Sequence, residues 1–260
     1  MTWIGTSWKM NKTLAEARAY VDGLVACRNA LDGVRVFIIP PHTAIATVRD
    51  RLPSDVPVIV GAQNAHWETG GAYTGEVSMG MIADAGATLV EIGHSERREH
   101  FGETDATVAR KVEAAVAAGL TPLLCVGEPA DVRAAGGEMD WIVGQVHRGL
   151  SRVAAPDVRK VVVAYEPIWA IGELGREPQP DEIAPVMTMV STSFGPDSGA
   201  RGKVAAILYG GSVNLSNAAS LLEVPGTDGL FIGRAAWQVA DFVDLVRIGA
   251  GAGRARDSQT

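Results

Sequence analysis

A lysine, an imidazole and a carboxylate each stand directly after an apolar run: Lys9 in "GTSWKMNK", His94 in "EIGHSERREHFGE" and Glu166 in "AYEPIWAIGELG". Together they have the chemistry of proton transfer beside a carbonyl. A lysine held charged near carboxylates stabilises a developing oxyanion. One set in an apolar pocket acts instead as a Schiff-base nucleophile, and the sequence leaves both chemistries open to Lys9. Taken alone, Lys9 also fits a solvated strand end, and His94 a structural histidine. If Ser95 or Glu96 opens a helix behind His94, backbone N–H groups and the positive helix end disfavour imidazolium and leave a neutral proton donor. Glu166 is either a structural partner or a base whose pKa partial burial raises. No pair of histidines has a ligand spacing such as H-E-x-x-H, so no metal is expected.

Two glycine-bearing stretches supply an anion site. "YGGSV" carries Gly210, Gly211 and Ser212, and "IGR" carries Gly233 and Arg234. Glycine lets backbone N–H groups approach a phosphate closely. The segment after Glu166 reads as a lid. Pro167 stiffens its start, Gly172 and Gly175 loosen its end, and Ile168, Trp169 and Ile171 give it an apolar inner face that excludes water.

These groups must be carried to one place. Eight short apolar runs recur: Trp3–Trp8, Arg35–Pro40, Pro57–Gln63, Ala87–His94, Thr121–Glu128, Lys160–Pro167, Lys203–Gly211 and Asp228–Arg234. Their near-continuous apolar character predicts parallel strands covered on both faces. Amphipathic stretches such as "TLAEARAYVDGLVACRNAL" and "TDATVARKVEAAVAAGL" lie between them, the second with a Thr or Asp cap and Gly119 at its end. Eight strand–helix repeats in this length predict an α/β chain folded as a single (β/α)8 barrel over residues 1–250. A doubly wound sheet is the competing arrangement, since alternation does not say whether a sheet closes. In a barrel the chemistry gathers at the C-terminal strand ends, which hold Ser7, Lys9, Gln63, Asn64, His94, Glu96, Glu166 and the glycine loops. Residues 251–260 read as a frayed tail. Their "GAGAGRARDSQT" context lacks the strand, helix and acidic residue of a dinucleotide site.

The chain has 260 residues, 47% hydrophobic, and a formal net charge of −7. No basic run interrupts it, so neither nucleic acid nor an anionic membrane is an expected partner. No apolar run approaches the roughly 18 residues of a membrane span, and the N-terminus lacks a secretory pattern. Cys27 and Cys125 form no disulfide framework, and Cys125 within "PLLCVG" reads as a buried thiol. A soluble cytoplasmic protein is expected.

The motifs "GAQN", "GAYTGEVS", "EIGHSERREHFGE", "CVGE", "AYEPIWAIG" and "YGGSV" resemble the triose-phosphate isomerase family over nearly the whole chain. That resemblance implies a TIM barrel without a cofactor. It implies that Lys9 is the electrophilic cation, His94 the proton shuttle, Glu166 the base and Glu96 a supporting residue. Gly172, Gly211, Ser212, Gly233 and Arg234 are then expected at the phosphate, and Thr74 in "GAYTGE" at a partner subunit, giving a homodimer. Three positions depart from the family pattern: Ser7 replaces an Asn, Glu173-Leu174-Gly175 replaces Thr-Gly-Lys, and Gly233-Arg234 replaces Gly-Gly. A serine at position 7 leaves room for a hydroxymethyl group on the reacting carbon and offers a hydroxyl. The combination resembles the branch that isomerises L-erythrulose 1-phosphate to D-erythrulose 4-phosphate in tetritol catabolism. The expected partner is thus a small phosphorylated ketose. An ordinary triose-phosphate isomerase and a non-catalytic sugar-phosphate-binding barrel are the alternatives.

Overall fold

Strands that are apolar on both faces need cover inside and out, and parallel strands get it from crossover helices. The computed structural model describes residues 1–172, 175–195 and 203–257. Its strands are β1 Thr2–Ser7, β2 Val34–Ile39, β3 Val58–Ala62, β4 Leu89–Ile92, β5 Thr121–Val126, β6 Val162–Tyr165, β7 Ala206–Tyr209 and β8 Gly229–Ile232. They pair in sequence order, all parallel, and β1 pairs with β8 from Trp3 opposite Gly229 to Thr6 opposite Ile232. That ladder closes the sheet into a TIM barrel and removes the doubly wound alternative. Most strands are shorter than their apolar runs, so His94 and Glu166 lie just past the strands that deliver them.

Side-chain alternation splits the core in two. Ile4, Val36, Ile38, Val90 and Val163 face the helices, while Trp3, Phe37, Leu89, Leu123, Val162 and Phe231 fill the barrel. Phe37 stacks on Phe231 at 5.7 Å and lies over Gly5, where a Cβ would meet its ring at 2.0 Å. The lower barrel is therefore filled by side chains, and within the barrel only its C-terminal mouth leaves room for a ligand.

The helices start on expected signals. Thr13 and Glu16 form a capping box for helix Leu14–Ala26, as do Thr104 and Thr107 for helix Asp105–Ala117. Gly119 follows the latter with φ 76°. The C-terminus departs from the sequence reading. The last helix spans Val239–Asp257, so residues 251–257 are helical where a frayed tail was expected, and 258–260 lie outside the described residues. The physical reason is close packing by small residues: a Cβ on Gly249 would sit 2.6 Å from Ile4 Cγ1, and one on Gly253 3.2 Å from Thr2 Oγ1. No helix among the described residues is long and apolar enough to cross a membrane.

Candidate active site

β1 ends at Ser7, and the chain turns at Lys9, which holds the left-handed φ of 53°. Two side chains fix it there. Gln63, just past β3, donates its amide to the Lys9 carbonyl at 2.8 Å. The Lys9 ammonium donates to Glu96 Oε1 at 2.6 Å. Burial opposes ionisation of Glu96, yet the hydrogen bond from Lys9 and the neighbouring Lys9 and His94 side chains hold its carboxyl below the usual range. A lysine paired with a carboxylate is an ammonium, not the free amine that a Schiff base requires.

His94 caps helix Ser95–Phe101, its Nδ1 accepting the Glu96 backbone N–H at 3.1 Å. A ring nitrogen that accepts carries no proton, so the hydrogen of the neutral ring sits on Nε2. Nε2 faces Glu166 Oε2 at 3.7 Å. Glu166 is 4% exposed, and its Oε2 has no hydrogen-bond partner. A buried polar atom left unpaired in a cleft is poised for a ligand. Gly210 makes room for this carboxylate, since a Cβ there would lie 2.7 Å from Glu166 Cγ.

The segment after Glu166 is anchored at both described ends. Buried Glu128 accepts the Trp169 indole N–H at 2.7 Å, and the ring lies between Arg133 and Arg176 at 4.6 and 4.5 Å. Gly172 has φ 84°, while Glu173 and Leu174 lie outside the described residues. Beyond them, Glu177 accepts the side-chain amide of Asn217 at 2.8 Å. Ser212, in the loop after β7, donates to the Ala170 carbonyl at 2.5 Å. The loop after β7 and the segment after β6 are therefore joined by hydrogen bonds on both sides of Gly172.

A cavity of about 610 Å³ lies on this rim. It brings together Ser7, Lys9, His94, Glu96, Glu166, Gly172, Ser212, Gly233 and Arg234. Gly211 does not line it. That glycine packs behind, where a Cβ would meet the Tyr209 hydroxyl at 2.6 Å, and Gly210 lines the cavity in its stead. Arg234 is exposed and pairs with no carboxylate among the described residues. Thr74 does not line the cavity; it lies in a loop whose residues 71–76 are all exposed. Among the described residues, no group of three or more His, Cys, Asp and Glu side chains is placed to hold a metal.

One residue escaped the reading of strand ends. Glu91 is the third residue of β4, 3% exposed, on the barrel-facing side with Leu89. Burial pushes its carboxyl up to about 7; nearby Glu166 also raises it, while the neighbouring His94 and Lys9 side chains oppose the rise. The signal was visible in "TLVEIGH": a glutamate inside an apolar strand has no solvent-facing position in a barrel covered on both sides.

The family model described as triosephosphate isomerase matches residues 2–249. The chain is 49% identical to an L-erythrulose-1-phosphate isomerase of Mycolicibacterium smegmatis over 251 residues, covering 95% of this chain and 93% of that protein. It is 46% identical to an L-erythrulose-1-phosphate isomerase of Rhizobium meliloti, covering 94% and 95%. Among solved structures, triosephosphate isomerase from Bartonella henselae superposes with a TM-score of 0.81 at 34% identity, over 95% of this chain and 98% of that one.

Proposed function

This chain belongs to the triosephosphate isomerase family, and from that membership we propose a sugar-phosphate isomerase that interconverts L-erythrulose 1-phosphate and D-erythrulose 4-phosphate without a cofactor. The observation that carries the reaction is the unpartnered Glu166 Oε2 facing His94 Nε2 across the cavity that Lys9 also lines. The choice of a tetrulose rests on the 46–49% identity to isomerases of that substrate, with Ser7 as the residue that admits the larger group.

Glu166 takes the proton from C3 of the substrate, and the electron pair moves toward the C2 carbonyl oxygen. The Lys9 ammonium and the Nε2–H of His94 stabilise the charge that develops there. His94 gives its Nε2 proton to the C2 oxygen and takes the C3 hydroxyl proton, which carries the enediolate from one carbonyl to the other. Glu166 then returns the first proton to C2. Every proton is conserved and no redox partner takes part. Glu96 holds the Lys9 side chain in place through their hydrogen bond. Gly172, Ser212, Gly233 and Arg234 bind the phosphate, supported by their place in the lining of the cavity. The lid excludes water and holds the enediolate back from eliminating phosphate. The loop around Thr74 docks on a second copy of the chain, which its exposure supports, giving a homodimer in the cytoplasm.

The test is a comparison of kcat/KM on L-erythrulose 1-phosphate and dihydroxyacetone phosphate. A preference of several hundredfold for the tetrulose corresponds to about 3–4 kcal/mol of differential transition-state binding. A preference for the triose replaces the tetrulose reading with a glycolytic one. Absence of turnover of either, with retained binding, leaves a non-catalytic barrel.

A further inference from the structure

Lys12 holds a φ of 76°, in the left-handed region that glycine enters freely and a residue with a side chain enters at a cost. Lys9 and Ser212, the other non-glycine residues with left-handed φ among the described residues, both line the cavity. Lys12 does not line it. Strain of this kind persists where the surrounding contacts hold it. Those contacts lead to Trp237, a half-buried residue that does line the cavity.

The Lys12 ammonium donates to the Trp237 carbonyl at 2.6 Å. It also lies over the rings of Trp8 and Tyr20, 5.3 and 5.0 Å from their centroids. Tyr20 donates its hydroxyl to the preceding carbonyl, that of Ala236, at 2.9 Å. The Trp237 indole N–H donates in turn to the Ser7 carbonyl at 3.2 Å. Three side-chain hydrogen bonds thus fasten residues 236–237 to β1, the turn beyond it and the helix that follows. The short helical turn Arg234–Ala236 runs directly into Trp237, so the loop fastened here is the one that carries Gly233 and Arg234.

We propose that Trp237 is a specificity-determining residue and Lys12 the positioning residue that holds it: together they fix the separation between the phosphate loop and the space beside Ser7, so that the site measures substrate length. This deepens the tetrulose reading and rests on it. A phosphate held by Gly233 and Arg234 sets how far each carbon of the substrate reaches. L-Erythrulose 1-phosphate carries a fourth carbon beyond its reacting pair, and that hydroxymethyl group fills the space beside Ser7 against the indole. Dihydroxyacetone phosphate ends one carbon earlier and leaves the space empty. A wall that must be ordered on binding gives up part of the contact energy, whereas one already held in place keeps it. The Trp237 N–H and carbonyl are the two points at which this wall is held.

The readout is the ratio of kcat/KM on L-erythrulose 1-phosphate to that on dihydroxyacetone phosphate, because general damage to the fold lowers both reactions alike and leaves the ratio unmoved. Trp237→Phe keeps an aromatic ring and removes the N–H. Lys12→Met keeps the stem and removes the ammonium. Each is expected to lower the ratio by at least tenfold. Because both act through one indole, the double variant lowers it no further than the more damaging single change. Lys12→Gly repeats the loss of the ammonium on a backbone at ease with φ 76°, and is expected to match Lys12→Met. A parental ratio in any of these single variants, or effects that multiply in the double variant, overturns the proposal. A parent enzyme inactive on the tetrulose overturns the tetrulose reading and takes this inference with it. A parent active on the tetrulose, with a ratio that the variants leave unchanged, overturns this inference alone.

Discussion

Replacing Gly210 by alanine tests whether the position of Glu166 sets the rate. Gly210 has an ordinary φ, and its N–H donates to the Tyr165 carbonyl at 2.8 Å, so alanine fits the backbone unchanged. The new methyl carbon would sit 2.7 Å from Glu166 Cγ, 2.9 Å from Oε1 and 3.2 Å from Cδ. Ordinary contact begins at 3.4 Å, so the carboxylate must retreat by about 0.7 Å. A displacement near 1 Å at a reacting group lowers a rate by about 100-fold, or about 2.7 kcal/mol of barrier. The expected result is a kcat lower by about 30- to 100-fold with little change in KM, since the phosphate contacts are untouched. Because the crowded atoms belong to a side chain, stability falls by no more than about 1–3 kcal/mol. Steady-state kinetics on the preferred substrate, with thermal unfolding alongside, reads both. A kcat within about threefold of the parent at an unchanged melting temperature refutes the argument, as does a loss carried entirely by KM.

Glu166→Gln removes the base and is expected to lower kcat by about 10²–10⁴ while phosphate binding persists; full activity would assign the proton transfer elsewhere. Ser7→Asn is expected to lose activity on the tetrulose far more than on the triose, and equal losses in paired assays would remove Ser7 from substrate choice. A buried acid whose folded pKa is raised from 4.5 to about 7 binds its proton more tightly in the native state, so its contribution to stability falls as pH rises through that window. Glu91→Gln therefore gains on the parent by up to about 3 kcal/mol between pH 5 and 8, measured by denaturant titration; a pH-independent difference contradicts the burial argument. Thr74→Arg, on the exposed loop, is expected to turn a sedimenting dimer into a monomer with low activity, and a variant that stays dimeric takes Thr74 out of the interface.

Much of this architecture could be read from the chain because strands buried on both faces leave unbroken apolar runs, and the first polar residues after several of these runs line the cavity at the C-terminal rim. Lys9, His94 and Glu166 were legible for that reason. Glu91 was not, because attention to the ends passes over a carboxylate inside a run. The Lys9–Glu96 pair spans 87 positions and depends on β1 and β4 coming together across the barrel mouth, which no local pattern encodes. Gly211 and Gly210 are adjacent and chemically identical. Only the geometry at the end of β7 assigns one to the cavity and the other to packing against Tyr209. The last turns of the final helix, residues 251–257, were read as a tail because glycines that lower helix propensity are the same ones that let the helix press against β1.

The seam between β1 and β8 also sets the order of events at the ribosome. The strand that β8 must meet is the first to be synthesised, so a growing chain carries two open strand edges until residues 229–232 emerge. Open edges are templates for pairing with other chains, and contacts between distant ends of a sequence form slowly. Truncation before β8 should therefore yield aggregates rather than a smaller soluble barrel. Heavy demand on chaperones is confined to the interval before the seam closes.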